Sequence, residues 1–320
     1  MSTDAMQPRA ADLAYLRFTA PDLEKMQTFL EDFGLTVTRS ETEAGVPALY
    51  SRGTDGSPYL HVVEQGEPRF VGLGFLMSSR DDLLALAAAE GASPVHTPAE
   101  PGGGERVRFT DPQGYVVDGI YGWETVDCDP ATPRPPVNWA GSRQRSDAPV
   151  RLHTGPCRVM RLGHCVLYVS DFRSSERWYK ARFDFISSDE IYTGDDKDNV
   201  IGAFMRCNQG DKPVDHHTVF LLGMPENAPG LQHAAFEVQD WDDLMVGHDH
   251  LQKAGYQHRW GIGKHIFGSQ VFDYWADPYG NMVEHFTDGD LFSASVPTAR
   301  EPMELLRASQ WGPTRARIGS

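Results

Sequence analysis

The chain has 320 residues, 40% hydrophobic and 23% charged, with a formal net charge of −16. That length suggests two domains, and the acidity excludes the concentrated basic surface that a nucleic-acid partner needs. No apolar run approaches the ~20 residues of a membrane span, the opening residues lack a basic-then-apolar pattern, and the four cysteines form neither a disulfide framework nor a Cys-x-x-Cys zinc site. A cytoplasmic protein with no membrane partner is expected.

In chain order, residues 13–20 read as a strand, and Pro21-Asp22 then opens a helix ending near Phe33. Residues 70–77 read as a strand followed by a helix over about 80–90. Asp111-Pro112-Gln113-Gly114 reads as a tight turn, because proline presets φ and glycine supplies freedom to enter the next strand. Prolines at 130, 133, 135, 136, 149 and 156 make an extended connector. The series then repeats as a strand over 162–169, a helix from Ser170-Asp171 through Arg182, a strand over 231–238 and a helix over about 240–254. It closes on Asp277-Pro278-Tyr279-Gly280 and a second alternating strand. Past residue 293 comes a tail with one amphipathic helix over 303–309 and a basic terminus, to which no function is assigned.

The repeat implies an α+β fold. Each half fits paired β-α-β-β-β units, forming a curved mixed sheet with helices outside and a concave ligand surface. The expected divisions are a first module over 1–127, a connector over 128–157, a second module over 158–292 and the tail over 293–320.

Three potential metal ligands fall on the second-half strands: His164, His233 and Glu284. A lone histidine in an apolar strand is usually a satisfied core group. Here period-2 alternation puts His164 on one face with Val166 and Tyr168, and His233 with Ala235 and Glu237. Polar groups on a largely inward face are costly unless partnered, and one dication would partner all three. Two imidazoles and a carboxylate form a facial triad with open positions, the pattern typical of non-haem Fe(II) oxygenases. The first half has Tyr15, Gly72 and Asp118 at the matching positions, so it is expected to bind no metal.

Other polar groups gather on the same strands. His216-His217 opens a strand, and His265 and Tyr274 flank the strand before the second turn. A histidine and a tyrosine near a bound phenol would serve proton transfer and oxyanion hydrogen bonding. A solvated loop for His216 and His265, and a core aromatic for Tyr274, are the plainer alternatives.

The run His265, Ile266 to Phe272, Asp273, Tyr274, Trp275-Ala276, Asp277-Pro278-Tyr279-Gly280, Asn281-Met282-Val283, Glu284 resembles the fingerprint of the type I extradiol ring-cleavage dioxygenases of the vicinal oxygen chelate superfamily. Only Asp273 departs, where that family prefers an apolar side chain, and the expected consequence is an altered cavity wall or ring substituent. The resemblance implies that His164, His233 and Glu284 hold Fe(II), with Mn(II) as an alternative. It further implies that His217 is the acid/base and that His265 and Tyr274 hydrogen-bond the substrate. The implied activity is cleavage of an aromatic diol beside its hydroxyls with O2, giving a muconic semialdehyde-type product in aromatic-compound catabolism, by a homo-oligomer. Within the family the chain looks most like the branch acting on trihydroxytoluene, dihydroxybiphenyl and related aromatics. Two rival readings are a metal-dependent isomerase or hydrolase of the same superfamily, which draws ligands from both modules, and a metal-free module that binds a small molecule.

Overall fold

The computed structural model describes residues 7–128, 133–224 and 228–314. Pro130 of the connector and the basic terminus of the tail lie outside the described residues. Among the described residues all four cysteines are free, and no helix is long and apolar enough to cross a membrane.

The first half runs β1 (Ala10–Ala20), α1 (Leu23–Asp32), β2 (Thr36–Glu41), β3 (Pro47–Arg52), β4 (His61–Gln65), β5 (Arg69–Met77), α2 (Arg80–Ala87), β6 (Glu105–Thr110) and β7 (Val116–Tyr121). The second runs β8 (Val159–Val169), α3 (Phe172–Phe183), β9 (Ile186–Tyr192), β10 (Val200–Arg206), β11 (Val214–Asp215), β12 (Val219–Gly223), β13 (Gly230–Val238), α4 (Trp241–Ala254), β14 (Gln257–His265), β15 (Val271–Ala276) and β16 (Met282–Thr287). After them come β17 (Leu291–Phe292), β18 (Ala299–Pro302), a short 3-10 helix over Met303–Arg307, and β19 (Ser309–Trp311).

Each helix starts where the sequence offers a short polar cap. Asp22, Ser79, Asp171 and Asp240 each accept a hydrogen bond from the backbone N–H three residues on. Both Asp-Pro-x-Gly turns form. Asp111 accepts from the N–H groups of Gln113 and Tyr115, and Asp277 from those of Tyr279 and Asn281. Gly114 and Gly280 sit at φ +90° and +88°, the left-handed region that a side chain would resist.

The strands form a seven-stranded sheet, ordered β2-β3-β4-β1-β5-β7-β6, and a ten-stranded sheet, ordered β18-β9-β10-β12-β8-β13-β16-β15-β14-β19. In each, parallel and antiparallel neighbours mix, and the long opening strand lies centrally between its two units. In the first half, the strand that would precede β6 is reduced to one bridge between His96 and Arg106. The tail adds a strand to either edge of the second sheet.

Each helix packs on the sheet of its own half, and the C-terminal ends of α1 and α3 also reach the other half's sheet. Phe33, at the end of α1, stacks on His285 of β16 with ring centroids 3.8 Å apart, while Phe183 of α3 meets Phe75 of β5 at 4.7 Å. A single apolar core therefore runs through both halves, leaving the opposite face of each sheet for other uses.

Candidate metal centre

The adjacency of β8, β13 and β16 brings the three candidate ligands together at the centre of the second sheet. His164 Nε2 and His233 Nε2 lie 3.4 Å apart, and Glu284 Oε2 lies 3.5 Å from the first and 3.2 Å from the second. Donors sharing one divalent ion at bonds of ~2.1 Å stand about 3.0–3.5 Å apart, so the triangle has the right size. All three residues are buried.

The local chemistry also fits a cation. Neither carboxylate oxygen of Glu284 accepts a hydrogen bond, although the residue is fully buried. An unsatisfied buried carboxylate is expensive without a cation. Burial alone would raise the Glu284 pKa, but His164, His233 and His265 outweigh it and hold the carboxyl well below the usual range. His233 Nδ1 donates to Gln232 Oε1, which puts the ring proton on Nδ1 and turns Nε2 towards His164 and Glu284, the tautomer a metal ligand needs. The amide of Gln270 lies 3.5 Å from His164 Nδ1.

The other candidates surround this triangle. His265 Nε2 and the Tyr274 hydroxyl share a hydrogen bond of 2.9 Å on β14 and β15, and His265 Nε2 lies 3.5 Å from Glu284 Oε1. On the opposite side the His217 ring sits 4.0 Å from the His164 ring. Burial, then His164 and its other histidine neighbours, hold the His217 imidazole well below the ordinary pKa. His216 is buried rather than solvated. Its Nε2 donates to Asp189 Oδ2 at 2.6 Å, and its Nδ1 lies 3.1 Å from His217 Nδ1. In the neutral pair, His216 Nδ1 then accepts from His217 Nδ1–H, which leaves His217 Nε2 as the ring's free lone pair.

Sequence reasoning missed Gln232, Gln270 and Asp189, because a glutamine or aspartate in a strand or loop carries no spacing signal of its own. It also assigned nothing to the tail, yet Leu305, Leu306 and Ala308 line the same cavity with Phe204, Phe220 and Trp260. One expectation needs correction. Asp273 does not touch the cavity wall. With period-2 alternation Tyr274 faces the cavity, while Asp273 points to the opposite face, where it meets His248 of α4, His258 of β14 and Trp275.

In the first half Tyr15, Gly72 and Asp118 stand at the matching positions, and two of them already partner each other. Tyr15 donates to Asp118 Oδ2, and Asp118 is further held by Arg108 at 2.8 and 2.9 Å.

Residues 161–285 match the model of the Glyoxalase/Bleomycin resistance protein/Dioxygenase superfamily. The chain is 30% identical over 314 residues to metapyrocatechase 2 of Cupriavidus necator, covering 97% of this chain and 92% of that protein. It therefore belongs to the family of extradiol dioxygenases that includes metapyrocatechase 2, within that superfamily. In fold it is similar to homoprotocatechuate 2,3-dioxygenase of Brevibacterium fuscum in complex with 3,4-dihydroxyphenylacetate, with a TM-score of 0.76 at 19% identity over 99% of this chain and 93% of that one. It is also similar to a Mn(II)-bound glyoxalase of Novosphingobium aromaticivorans, with a TM-score of 0.74 at 21% identity over 96% and 92%.

Proposed function

We propose that this chain is an Fe(II)-dependent extradiol dioxygenase that opens an uncharged catechol beside its diol. Both atoms of O2 enter the product, a muconic semialdehyde-type compound, and no external reductant is consumed. The observation that carries this reading is one buried triangle of His164, His233 and Glu284 with His217 on one side and the His265–Tyr274 pair on the other. Family membership with metapyrocatechase 2 supports it. When bound, the ferrous ion supplies a Lewis-acidic centre with open positions for diol and dioxygen, and Mn(II) suits the same donors.

The protein's own groups do the rest. Tyr274 Oη and His265 Nε2 share a proton that can follow the ionisation of a diol hydroxyl, so together they orient the ring and hold its charge. His217 Nε2, with Nδ1 tied to His216, takes a proton from the diol and returns it as the ring opens. Apolar walls from Val166, Phe204, Phe220 and Trp260 exclude water from the reacting atoms. Among the described residues no lysine or arginine lines this cavity, which favours hydrogen, alkyl or aryl ring substituents over a carboxylate.

Chemistry then resides in the second module, 158–292, with the first module, 1–127, serving as packing partner, the 128–157 segment as connector and the 293–320 tail as part of the cavity wall. A cytoplasmic homo-oligomer is proposed. An isomerase sharing ligands between modules fits less well, because Tyr15 and Asp118 already satisfy each other. The test is anaerobic loading with Fe(II), then catechol and air. A yellow ring-opened product is expected, and recovery of unchanged catechol or only of an ortho-cleaved diacid would contradict the reading.

A further inference from the structure

A second cluster of metal-binding residues lies on the other face of the second sheet. His248 of α4, His258 of β14 and Asp273 of β15 each offer a donor atom, and these donors all lie within 4.8 Å of one another. Asp273 Oδ2 accepts from His248 Nδ1 at 3.0 Å and Oδ1 accepts from His258 Nε2 at 2.8 Å. The three residues are contributed by three separate elements, so the grouping follows from the fold rather than from local sequence.

The position of the carboxylate is what calls for explanation. Asp273 is fully buried on a face that packs against a helix. The matching residue of β6 in the first half is Val107, buried in the core, and the residue matching His248 is Ala87 of α2. The positions held by an apolar pair in the first half hold a carboxylate and an imidazole in the second. Among the described residues Asp273 forms ion pairs with His248 and His258 and with no lysine or arginine. Its buried carboxylate is thus met by two imidazoles and the Trp275 indole N–H, with no permanently charged cation beside it.

We propose that His248, His258 and Asp273 form a second cation site, which takes a divalent ion of the zinc class with two imidazole nitrogens and one carboxylate oxygen. Nitrogen and oxygen donors of this kind suit Zn(II), whereas an all-oxygen set would suit calcium or magnesium. The supporting groups are in place. Trp275 Nε1 donates to Asp273 Oδ2 at 2.6 Å, and the His248 and His258 rings lie 5.4 and 4.8 Å from the indole, so carboxylate and rings are oriented by one side chain. His258 is one-third exposed and gives the ion a way in from solvent. Binding displaces the protons now shared between the imidazoles and Asp273, and it ties α4 to the β14–β15 hairpin behind Tyr274.

The test uses the full chain loaded anaerobically with Fe(II), titrated with Zn(II) and desalted, with both metals counted by elemental analysis. Wild type is expected to retain its iron and to gain one zinc per chain. His258→Ala, a change at a partly exposed position, is expected to weaken zinc binding by about tenfold or more at unchanged iron. His233→Ala is expected to lose iron and still take zinc at His248, His258 and Asp273, which separates this site from the triad. Zinc that enters only as iron leaves, zinc uptake equal in wild type and His258→Ala, or no zinc uptake at all would each overturn the proposal. The last result would leave the cluster as hydrogen bonds alone.

Discussion

The hydroxyl of Tyr15 donates to Asp118, and these two residues stand where the second module carries His164 and Glu284. The same two central strands that offer an imidazole and a carboxylate to a cation in one half are closed by a tyrosine–carboxylate hydrogen bond in the other. Arg106 and Arg108 supply the positive charge there that a metal would supply across the molecule.

Asp118→Ala is accordingly expected to act on stability and not on metal content. It leaves the buried Arg106 with one fewer anionic partner, and breaking a buried charge network of this kind costs about 3 kcal/mol. Urea unfolding of the iron-loaded protein should show that loss with iron per chain unchanged.

His217→Gln keeps a polar side chain beside His164 but removes the titratable nitrogen. Turnover should fall by about 10²–10⁴-fold, the usual contribution of a positioned acid/base. Bound iron, measured separately, should equal that of wild type. Loss of iron in this variant would make His217 a ligand or a structural prop instead.

Substrate choice follows from the cavity wall. Catechol, methylcatechols and 2,3-dihydroxybiphenyl should be opened with higher kcat/KM than 3,4-dihydroxyphenylacetate, because among the described residues no lysine or arginine lines the cavity to receive a carboxylate. A comparison of kcat/KM across these diols checks it, and preference for the acid would mean that an arginine or lysine outside this wall reaches the ring.

His61 gives the fold a pH dependence unrelated to the chemistry. It is buried between the halves, stacked on Phe18 with centroids 4.6 Å apart. Its Nδ1 has no hydrogen-bond partner, and burial pushes its pKa down to about 3. The folded state keeps it neutral while the unfolded chain protonates it below about pH 6.5, so stability falls as pH drops from 6.5 towards 3. His61→Phe should remove this component and gain about 2–3 kcal/mol relative to wild type between pH 6 and pH 4. Parallel pH–stability curves for the two proteins would show that His61 is not the group responsible.

Most of the site was legible because the repeat placed it. The two Asp-Pro-x-Gly turns set a common register, and three polar residues on inward faces at fixed points of that register single out His164, His233 and Glu284. Caps at Asp22 and Asp171 were readable for a similar reason, since a short polar residue before a periodic segment has one economical use. What the sequence concealed depends on which way a side chain points. Asp273 lies one residue from Tyr274, so strand pairing alone decides that one faces the cavity and the other faces α4. Gln232, Gln270 and Asp189 are ordinary polar residues until the fold sets them against His233, His164 and His216. The tail's Leu305 and Leu306 became cavity wall only because β18 and β19 pin the segment to opposite edges of the sheet.

The most direct check on the whole account is iron per chain after anaerobic Fe(II) loading and desalting, for wild type and Glu284→Ala. One iron is expected in wild type and almost none in the variant, with the helix and sheet content of both unchanged by circular dichroism. A well-folded Glu284→Ala that keeps a full complement of iron would show that the ion is held elsewhere, and the assignment of His164, His233 and Glu284 would fail with it.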